Sequence, residues 1–274
     1  MIQVAEMFGI GLDESYEVTL YEDLTLDVRA GDVVFVTGPS GSGKSVLVER
    51  LERAIRDGQP DGGHIVNLAG VRSEVPGRKA QRARTGTGAG DPVRVRMDEA
   101  PVIDLMSGPL EGALRLLSAA GLADAFLLLR RARELSDGQR YRLRLALALD
   151  ALLAHPNAEP GTRNAGTTNP RWQSGANQQH SPKRERGDGC CQARARGLRL
   201  LVADEFCSTL DRLCARAVAY RVRRLADTHG LTVVAASAHD DLVEDLAPDV
   251  LIVKHPGDRV EVHYADPVRG EGQP

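Results

Sequence analysis

The chain has 274 residues, with 35 lysines and arginines against 38 aspartates and glutamates and a formal net charge of −3. This length favours one large domain, and the balanced charge excludes a protein that holds nucleic acid by bulk electrostatic attraction alone. We expect a cytoplasmic protein, because there is no signal peptide, no apolar run near the roughly 20 residues that cross a bilayer, and no disulfide or zinc-ligand spacing among the four cysteines.

The first predicted elements lie between residues 16 and 57. Residues 16–28 (YEVTLYEDLTLDV) alternate apolar and polar side chains, which predicts an N-terminal antiparallel β portion, either one hairpin or two short strands. Residues 32–37 (DVVFVT) are a short β-branched run typical of a buried parallel strand. Residues 43–57 then carry apolar side chains on one side, as an amphipathic helix does.

Helices and strands continue to alternate in the rest of the chain. Residues 109–134 keep a helical period that is broken near Gly121, which predicts a short helical subdomain. Further helices are expected over residues 139–154 and over residues 209–228, the latter stopped by Gly230. Three more strands are predicted at 198–203, 231–238 and 249–254. This alternation indicates an α/β fold, with a mainly parallel sheet covered by helices on both faces.

Two polar stretches interrupt the pattern, at residues 72–98 and 156–197. Both are rich in Gly and Arg and bury too little apolar surface to offset the entropy of ordering, so we expect flexible insertions in a single domain that spans residues 1–274. Their arginines are compatible with nucleic-acid binding, but solvated insertion loops explain them as well, and aromatic residues are nearly absent there.

The strongest motif lies between the strand at 32–37 and the helix that follows it. It fits G-x-x-x-x-G-K-[ST], the loop whose backbone N–H groups surround phosphate oxygens at a helix N-terminus. Its lysine reaches the β- and γ-phosphates, and its final hydroxyl ligates Mg²⁺. The motif therefore predicts a nucleotide site made of Gly38, Pro39, Ser40, Gly41, Ser42, Gly43, Lys44 and Ser45.

A second motif is the pair Asp204-Glu205, which follows the predicted strand at 198–203. A strand that ends in two acids places carboxylates at the C-terminal edge of the sheet, beside the phosphate loop. We expect Asp204 to hold the Mg²⁺ shell and Glu205 to polarise the attacking water. Such a pair, taken alone, also serves to cap the helix that follows it.

The third motif is Leu135-Ser136-Asp137-Gly138-Gln139-Arg140, placed before a helix. This hexapeptide resembles the LSGGQ signature of the ABC (ATP-binding cassette) ATPases, with Asp137 in place of the first glycine. Ser136 suits an N-cap, and Gly138 permits close backbone approach, so that the helix N-terminus can face a γ-phosphate. Within that family, the resemblance implies that Ser136, Gly138 and Gln139 contact the nucleotide of a partner subunit.

Other residues match the family one by one. Ser208-Thr209-Leu210-Asp211 resembles the D-loop, which lies across the dimer interface in that family, although an ordinary helix N-terminus explains it too. His239, after the strand at 231–238, resembles the switch histidine that touches the γ-phosphate. Tyr16 is similar in position to the aromatic residue that stacks on adenine, with Tyr21 as a competitor.

The chain also departs from the family pattern. The family places a γ-phosphate-sensing glutamine after a strand, at the contact with a transmembrane partner, but Gln81 lies in the Arg-rich insertion. Asp104, in the segment PVIDL, is a candidate for that place. More specifically, PVIDLM, LSDGQRYRLRLALAL and VADEF resemble a soluble group of ABC-type ATPases associated with acetyltransferase-like domains, although nothing in the chain itself resembles an acetyltransferase fold.

The resemblance implies a P-loop NTPase of ABC type that binds ATP and Mg²⁺ and hydrolyses ATP as a head-to-tail homodimer. Lys44 and His239 would stabilise charge on the transferred phosphoryl group while Glu205 orients water. Because the glutamine is missing and the helical subdomain is short, we expect a soluble switch that acts on an unidentified partner protein. The alternatives are the ATP-binding subunit of a transporter with a membrane partner, a nucleic-acid-associated ATPase, and a regulator that binds nucleotide without hydrolysis.

Overall fold

In the computed structural model, one six-stranded sheet flanked by helices is built from the described residues, which are 7, 19–22, 24–58, 63–73, 94–95, 100–154 and 198–265. The strands of this sheet are β1 (Val33–Thr37), β2 (His64–Asn67), β5 (Arg199–Ala203), β6 (Thr232–Ser237), β7 (Val250–Lys254) and β8 (Val260–Tyr264). A separate parallel pair is formed by β3 (Arg72–Ser73) and β4 (Arg94–Val95).

The strands of the main sheet lie in the order β2-β5-β6-β1-β7-β8. All neighbouring pairs are parallel except β7 and β8, which form an antiparallel hairpin. The carboxyl ends of β1, β5 and β6 therefore meet at one edge of the sheet, with β6 between the other two. In open parallel sheets this edge is where ligands bind.

Six helices of the described residues cover the sheet or extend from it. They are α1 (Lys44–Asp57), α2 (Leu110–Ala119), α3 (Ala125–Leu128), α4 (Asp137–Leu153), α5 (Arg212–His229) and α6 (Val243–Leu246). Short 3₁₀ helices occur at Leu68–Gly70, Val102–Leu105, Ala132–Glu134 and Asp240–Leu242. Within the described part of the chain, no helix is both long and apolar enough to span a bilayer.

Alternate residues of the central strands pack into two separate cores. On β1, Val33 and Phe35 join the core that holds α4 and α5, whereas Val34 and Val36 join the core that holds α1. All four side chains are essentially inaccessible to solvent. A strand that is buried on both faces is continuously apolar, which is why DVVFVT indicated a central parallel strand.

The α/β fold predicted from the sequence is confirmed, with a mainly parallel sheet between helical layers. The helical period at 109–134 corresponds to α2 and α3, which are separated by a turn where Gly121 adopts a φ of 88°. This short stretch packs against α4 and forms the predicted helical subdomain.

The N-terminal β portion differs from the sequence prediction. Within residues 19–22 and 24–32 no strand is formed, and residues 16–18 lie outside the described residues. The alternation still has a physical cause, because Leu24, Leu26 and Val28 pack on the core that holds α1. Strand pairing would require a partner with free N–H and C=O groups, whereas this segment contacts the sheet through side chains and a bond from the Asp27 N–H to the Tyr264 hydroxyl.

Four strands were missed from the sequence, namely β2 and β8 of the main sheet and the short pair β3 and β4, and the insertions are largely untested. β2 has only four residues, and β8 follows a turn at Gly257, so neither produces a long apolar pattern. Most of residues 72–98 and all of 156–197 lie outside the described residues. The division into one domain with two insertions stays a prediction.

Candidate nucleotide-binding site

The phosphate loop joins β1 to α1 at the edge of the sheet where the parallel strands end. Gly43 is the N-cap of α1 with a φ of 98°, which leaves the first N–H groups of this helix pointing out of its N-terminus. Gly38 has a φ of 146°, and a Cβ atom there would collide with the carbonyl oxygen of Lys254. Glycine is required at position 38 because β7 approaches the loop so closely.

Lys44 lies across the same loop. Its Nζ donates hydrogen bonds to the carbonyl oxygens of Gly38 and Pro39, each at 2.8 Å. Burial lowers the pKa of Lys44, and the negative charges of Asp204 and Glu205 act in the opposite direction. The ammonium group is therefore held beside the loop by two hydrogen bonds and interacts electrostatically with the Asp204 and Glu205 carboxylates.

Two serines of the loop differ in environment. The Ser42 side chain is buried, and its hydroxyl oxygen has no hydrogen-bond partner among the described residues. A buried hydroxyl without a partner is uncommon in native structures and is explained most simply by a ligand or water that it would bind. Ser45, in the first turn of α1, is exposed and available to a ligand in front of the helix.

Asp204 and Glu205 follow the last residue of β5, as the sequence predicted. Asp204 is partly buried and accepts a hydrogen bond from the Glu205 N–H at 3.0 Å. Glu205 is exposed and adopts a φ of 52°, a left-handed conformation that is rare for a residue other than glycine. Such backbone strain clusters at functional sites.

The signature segment begins α4 with two reciprocal hydrogen bonds. The Ser136 hydroxyl accepts the Gln139 N–H at 3.4 Å, and the Gln139 side chain accepts the Ser136 N–H at 2.9 Å. This capping box satisfies two N–H groups at the helix start. Ser136 is exposed, while a Cβ atom added at Gly138 would lie 3.3 Å from the Thr209 carbonyl oxygen. Gly138 thus allows close approach of this chain's own 208–211 segment.

Asp211 and His239 each precede a helical element. Asp211 is the N-cap of α5, and its carboxylate accepts the Cys214 N–H at 2.9 Å, a bond that lowers its pKa. His239 follows β6 at the edge shared with β1 and β5, and its side chain is exposed. Its backbone N–H donates to the Ser237 hydroxyl at 3.2 Å, which fixes the backbone at the end of β6.

The structure describes only one of the two tyrosines considered for adenine stacking. Tyr16 lies outside the described residues, so its role as a stacking aromatic stays a prediction. Tyr21 contacts the phosphate loop, where its hydroxyl donates to the Gly43 carbonyl oxygen at 2.7 Å. Burial raises the pKa of Tyr21 to about 12, so the phenol remains a neutral donor at physiological pH.

An amide side chain lies at the end of β2, the strand next to β5. Asn67 is the last residue of β2, the strand next to β5, and its side-chain nitrogen donates to Glu52 Oε2 of α1 at 2.7 Å. Asp104, the candidate from the sequence, lies instead in a 3₁₀ helix at Val102–Leu105 and is exposed, and Gln81 is not among the described residues. The sequence did not indicate Asn67 because β2 itself was not predicted.

Sequence reasoning also missed two residues that contact the site from distant elements. Lys254, at the end of β7, is fully buried, and its ammonium lies 5.1 Å from the centre of the Tyr21 ring while it donates to the His255 and Gly257 carbonyl oxygens. Tyr141, on α4, contacts the loop after Glu205. Neither belongs to a local motif.

Comparison with known proteins shows what this chain is similar to. The family described as "ABC transporter" matches residues 21–152. The chain is 26% identical over 249 residues to the phosphonates import ATP-binding protein PhnC of Hyphomonas neptunium, an alignment that covers 84% of this chain and 76% of that protein. It is 38% identical over 150 residues to the putative ABC transporter ATP-binding protein YjkB of Bacillus subtilis, which covers 50% of this chain and 53% of that one.

A solved structure of an ATP-binding cassette of an ABC transporter, MJ1267 in its ADP conformation, aligns with 15% identity and a TM-score of 0.48, over 90% of this chain and 85% of that one. None of these relatives supports the acetyltransferase-associated group that the sequence suggested. The family match includes the phosphate loop and the signature segment, and these relatives are named as ATP-binding proteins. Residues 21–152 are therefore similar to the ABC transporter family, and the chain carries an ATP-hydrolysing domain.

Proposed function

We propose that this chain is the ATP-binding subunit of an ABC transporter and that it hydrolyses ATP as a head-to-tail dimer. One observation carries the catalytic part of the proposal. The phosphate loop after β1, the Asp204-Glu205 pair after β5 and His239 after β6 all lie at one edge of the same parallel sheet. A nucleotide bound to the loop would therefore have its terminal phosphate in front of two acids and an imidazole.

The loop binds the phosphates through its backbone and through Lys44. The N–H groups at the start of α1 point toward the ligand, and the helix dipole favours negative charge there. When a triphosphate arrives, the Lys44 ammonium exchanges its bonds to the Gly38 and Pro39 carbonyl oxygens for bonds to phosphate oxygens. Because the ammonium is already held beside the loop, little side-chain entropy is lost on binding.

The residues at this edge also suit Mg²⁺. Ser45 presents an exposed hydroxyl at the N-terminus of α1, and Asp204 presents a carboxylate at the end of β5. Protein sites that bind Mg²⁺ together with a nucleotide supply one or two oxygen ligands and leave the others to phosphate and water. Bound there, Mg²⁺ neutralises charge on the β- and γ-phosphates.

Glu205 and His239 supply the remaining chemistry. The exposed Glu205 carboxylate is placed to accept a hydrogen bond from the attacking water and to orient it toward the γ-phosphate. His239 donates a hydrogen bond to a γ-phosphate oxygen, and Lys44 opposes the charge that develops on the transferred group. In both the ground state and the transition state, the protein acts mainly by positioning and by electrostatics.

The signature segment acts across a dimer interface. Ser136, Asp137 and Asp211 are exposed at the N-termini of α4 and α5, where a second copy can meet them. In a head-to-tail dimer, the N-terminus of α4 from one copy faces the γ-phosphate bound by the other. Each ATP would then be held between two subunits, with Gln139 already positioned by the capping box.

The relatives favour a membrane partner over the soluble switch expected from the sequence. Several are ATP-binding proteins for import, of phosphonates and of methionine. The expectation of a soluble switch rested on the missing glutamine and the short helical subdomain, and we propose that Asn67, at the end of the strand next to β5, takes the place of the glutamine. We therefore propose a membrane-spanning transporter subunit as the partner protein, with the transported substrate selected by that subunit.

Phosphate release tests the catalytic proposal. We expect wild-type protein to release phosphate from Mg·ATP, and Glu205→Gln to lose about 100-fold or more in turnover while still binding ATP. Glu49→Gln is the matched control, because Glu49 is exposed on α1 and pairs only with Arg53 among the described ion pairs. Equal turnover in wild type and Glu205→Gln would contradict the role of Glu205.

Membrane association tests the partner. The chain, expressed with a candidate transporter subunit from its own genome, should co-elute with that subunit after detergent extraction, and reconstitution should raise its ATP turnover. If purified chain alone turns over ATP at its maximal rate and no transporter subunit changes that rate, the soluble switch is the better account.

A further inference from the structure

The loop that carries Glu205 is held by hydrogen bonds from successive backbone N–H groups. The Glu205 N–H donates to the Asp204 carboxylate at 3.0 Å, and the Phe206 N–H donates to the Ala236 carbonyl oxygen of β6 at 2.6 Å. The Ser208 N–H donates back to the Glu205 carbonyl oxygen at 3.0 Å. The one N–H between these, that of Cys207, is bound by a residue from another helix.

That residue is Tyr141 of α4, whose hydroxyl accepts the Cys207 N–H at 2.8 Å. The Tyr141 side chain is only 7% exposed, and Cys207 is 1% exposed, so water cannot replace the bond. Burial raises the pKa of Tyr141 well above its ordinary value and that of the Cys207 thiol to about 12, so both groups stay neutral in the physiological range.

The backbone at Glu205 and Cys207 is strained and requires contacts from other elements to keep its conformation. Glu205 has a φ of 52° and Cys207 a φ of 59°, so two residues that carry a Cβ are left-handed within one loop. Such conformations persist only where the surrounding structure fixes them. We expect that, without an acceptor for its N–H, Cys207 relaxes toward negative φ and displaces Glu205.

The helix that provides the support is the one that begins with the signature segment. Tyr141 lies about one turn and a half after the N-cap Ser136, and a Cβ atom added at Gly138 would lie 3.3 Å from the Thr209 carbonyl oxygen of the same loop. Helix α4 therefore approaches the loop closely at Gly138 and binds it through the Tyr141 hydroxyl. Within one subunit, this hydrogen bond joins the signature helix to the loop that carries Glu205.

We propose that Tyr141 is a positioning residue for ATP hydrolysis, which holds the Cys207 N–H and thereby fixes the Glu205 carboxylate relative to the signature helix. This inference rests on the proposed role of Glu205 as the residue that orients water. Tyr141 itself is buried and acts through the loop. Its effect falls on turnover and not on nucleotide affinity, because the phosphate loop is held by other contacts.

The test compares Tyr141→Phe with Tyr220→Phe, a control in which the hydroxyl removed lies on the exposed face of α5. We expect kcat to fall about 10- to 100-fold in Tyr141→Phe, the range that displacement of a catalytic group produces, with KM and ATP affinity within about twofold of wild type. Hydrogen exchange at the Cys207 amide should accelerate, while exchange in β6 stays unchanged. Tyr141→Gln restores an acceptor at this position and should recover part of the lost kcat.

Two results overturn the inference. One is an unchanged kcat for Tyr141→Phe, and the other is a kcat that falls only in proportion to the loss of folded protein. If Tyr141→Phe is insoluble, Tyr141→Gln is measured alone. Reduced kcat with retained ATP affinity then supports the inference. Wild-type kcat together with rapid hydrogen exchange at the Cys207 amide overturns it. Failure of the proposed function appears separately, as full turnover in Glu205→Gln.

Discussion

Under the proposed function, Lys44 is the residue on which we expect nucleotide affinity to depend most directly. In Lys44→Ala the loop loses the only described ammonium that bridges its two carbonyl oxygens, at Gly38 and Pro39. Charge-assisted hydrogen bonds to phosphate contribute about 1.5–3 kcal/mol, so ATP affinity should fall about 10- to 150-fold. Titration with a fluorescent ATP analogue measures this. Arg53→Ala, an exposed change on α1, should leave affinity unaltered, and unchanged affinity in Lys44→Ala would mean that the phosphates bind elsewhere.

Tyr21 gives a pH dependence with a defined sign. Its pKa is raised by burial from 10.0 to about 12, so between these values the folded protein retains a proton that the unfolded chain has lost. Stability therefore falls as pH rises through this range. The loss between pH 9 and pH 11.5 in the urea midpoint should be smaller in Tyr21→Phe than in wild type, whereas Tyr220→Phe should follow wild type. An equal loss in Tyr21→Phe would show that the phenol stays solvated.

The local chemistry of the site could be predicted because its residues are close in sequence. The phosphate loop from Gly38 to Ser45 and the capping box from Ser136 to Gln139 each lie within one short segment, so spacing alone specifies them. The contacts from Lys254 to the phosphate loop and from Tyr141 to Cys207 join residues that are far apart in the chain. No spacing rule identifies such pairs, and a three-dimensional structure is needed to find them.

At the scale of the helices, the effect of replacing glycine by alanine depends on whether the glycine lies at a helix end or inside a helix. Gly230 ends α5 with a φ of 62°, where Ala is strained, so Gly230→Ala should lower the free energy of unfolding by about 1–2 kcal/mol. Gly112 lies inside α2, and the nearest atom to an added Cβ is 3.7 Å away. Gly112→Ala should therefore raise stability by up to about 1 kcal/mol. Urea unfolding measures both, and a stabilising Gly230→Ala would contradict the left-handed end of α5.

Helices and strands were predicted correctly where burial requires a distinct apolar pattern in the sequence, and they were not where the pattern has more than one structural cause. Strands β1, β5, β6 and β7 are buried in the sheet, so their apolar runs were clear in the sequence. In contrast, Leu24, Leu26 and Val28 alternate because they pack on a core, although the described residues around them form no strand. Alternation of apolar and polar residues indicates that one side of a segment is buried. A β-strand also requires backbone hydrogen bonds to a neighbouring strand.

At the scale of the whole molecule, our proposal gives each chain half of a two-subunit site. The residues proposed to face the nucleotide, Lys44, Glu205 and His239, lie at one edge of the sheet, and Ser136 is exposed at the start of a different helix. The proposed head-to-tail pair of chains would bring these two surfaces together over ATP. The same arrangement links hydrolysis to movement, since loss of the γ-phosphate removes the group that both subunits hold.

The mass of Glu205→Gln in solution, with and without Mg·ATP, tests this account most directly. The substitution keeps the site but slows hydrolysis, so that ATP should remain trapped between two chains. We expect a monomer of 29.5 kDa without nucleotide and a species of twice that mass with Mg·ATP, and Ser136→Arg should prevent the change by obstructing the signature surface. A protein that stays monomeric while ATP is demonstrably bound would contradict the head-to-tail dimer.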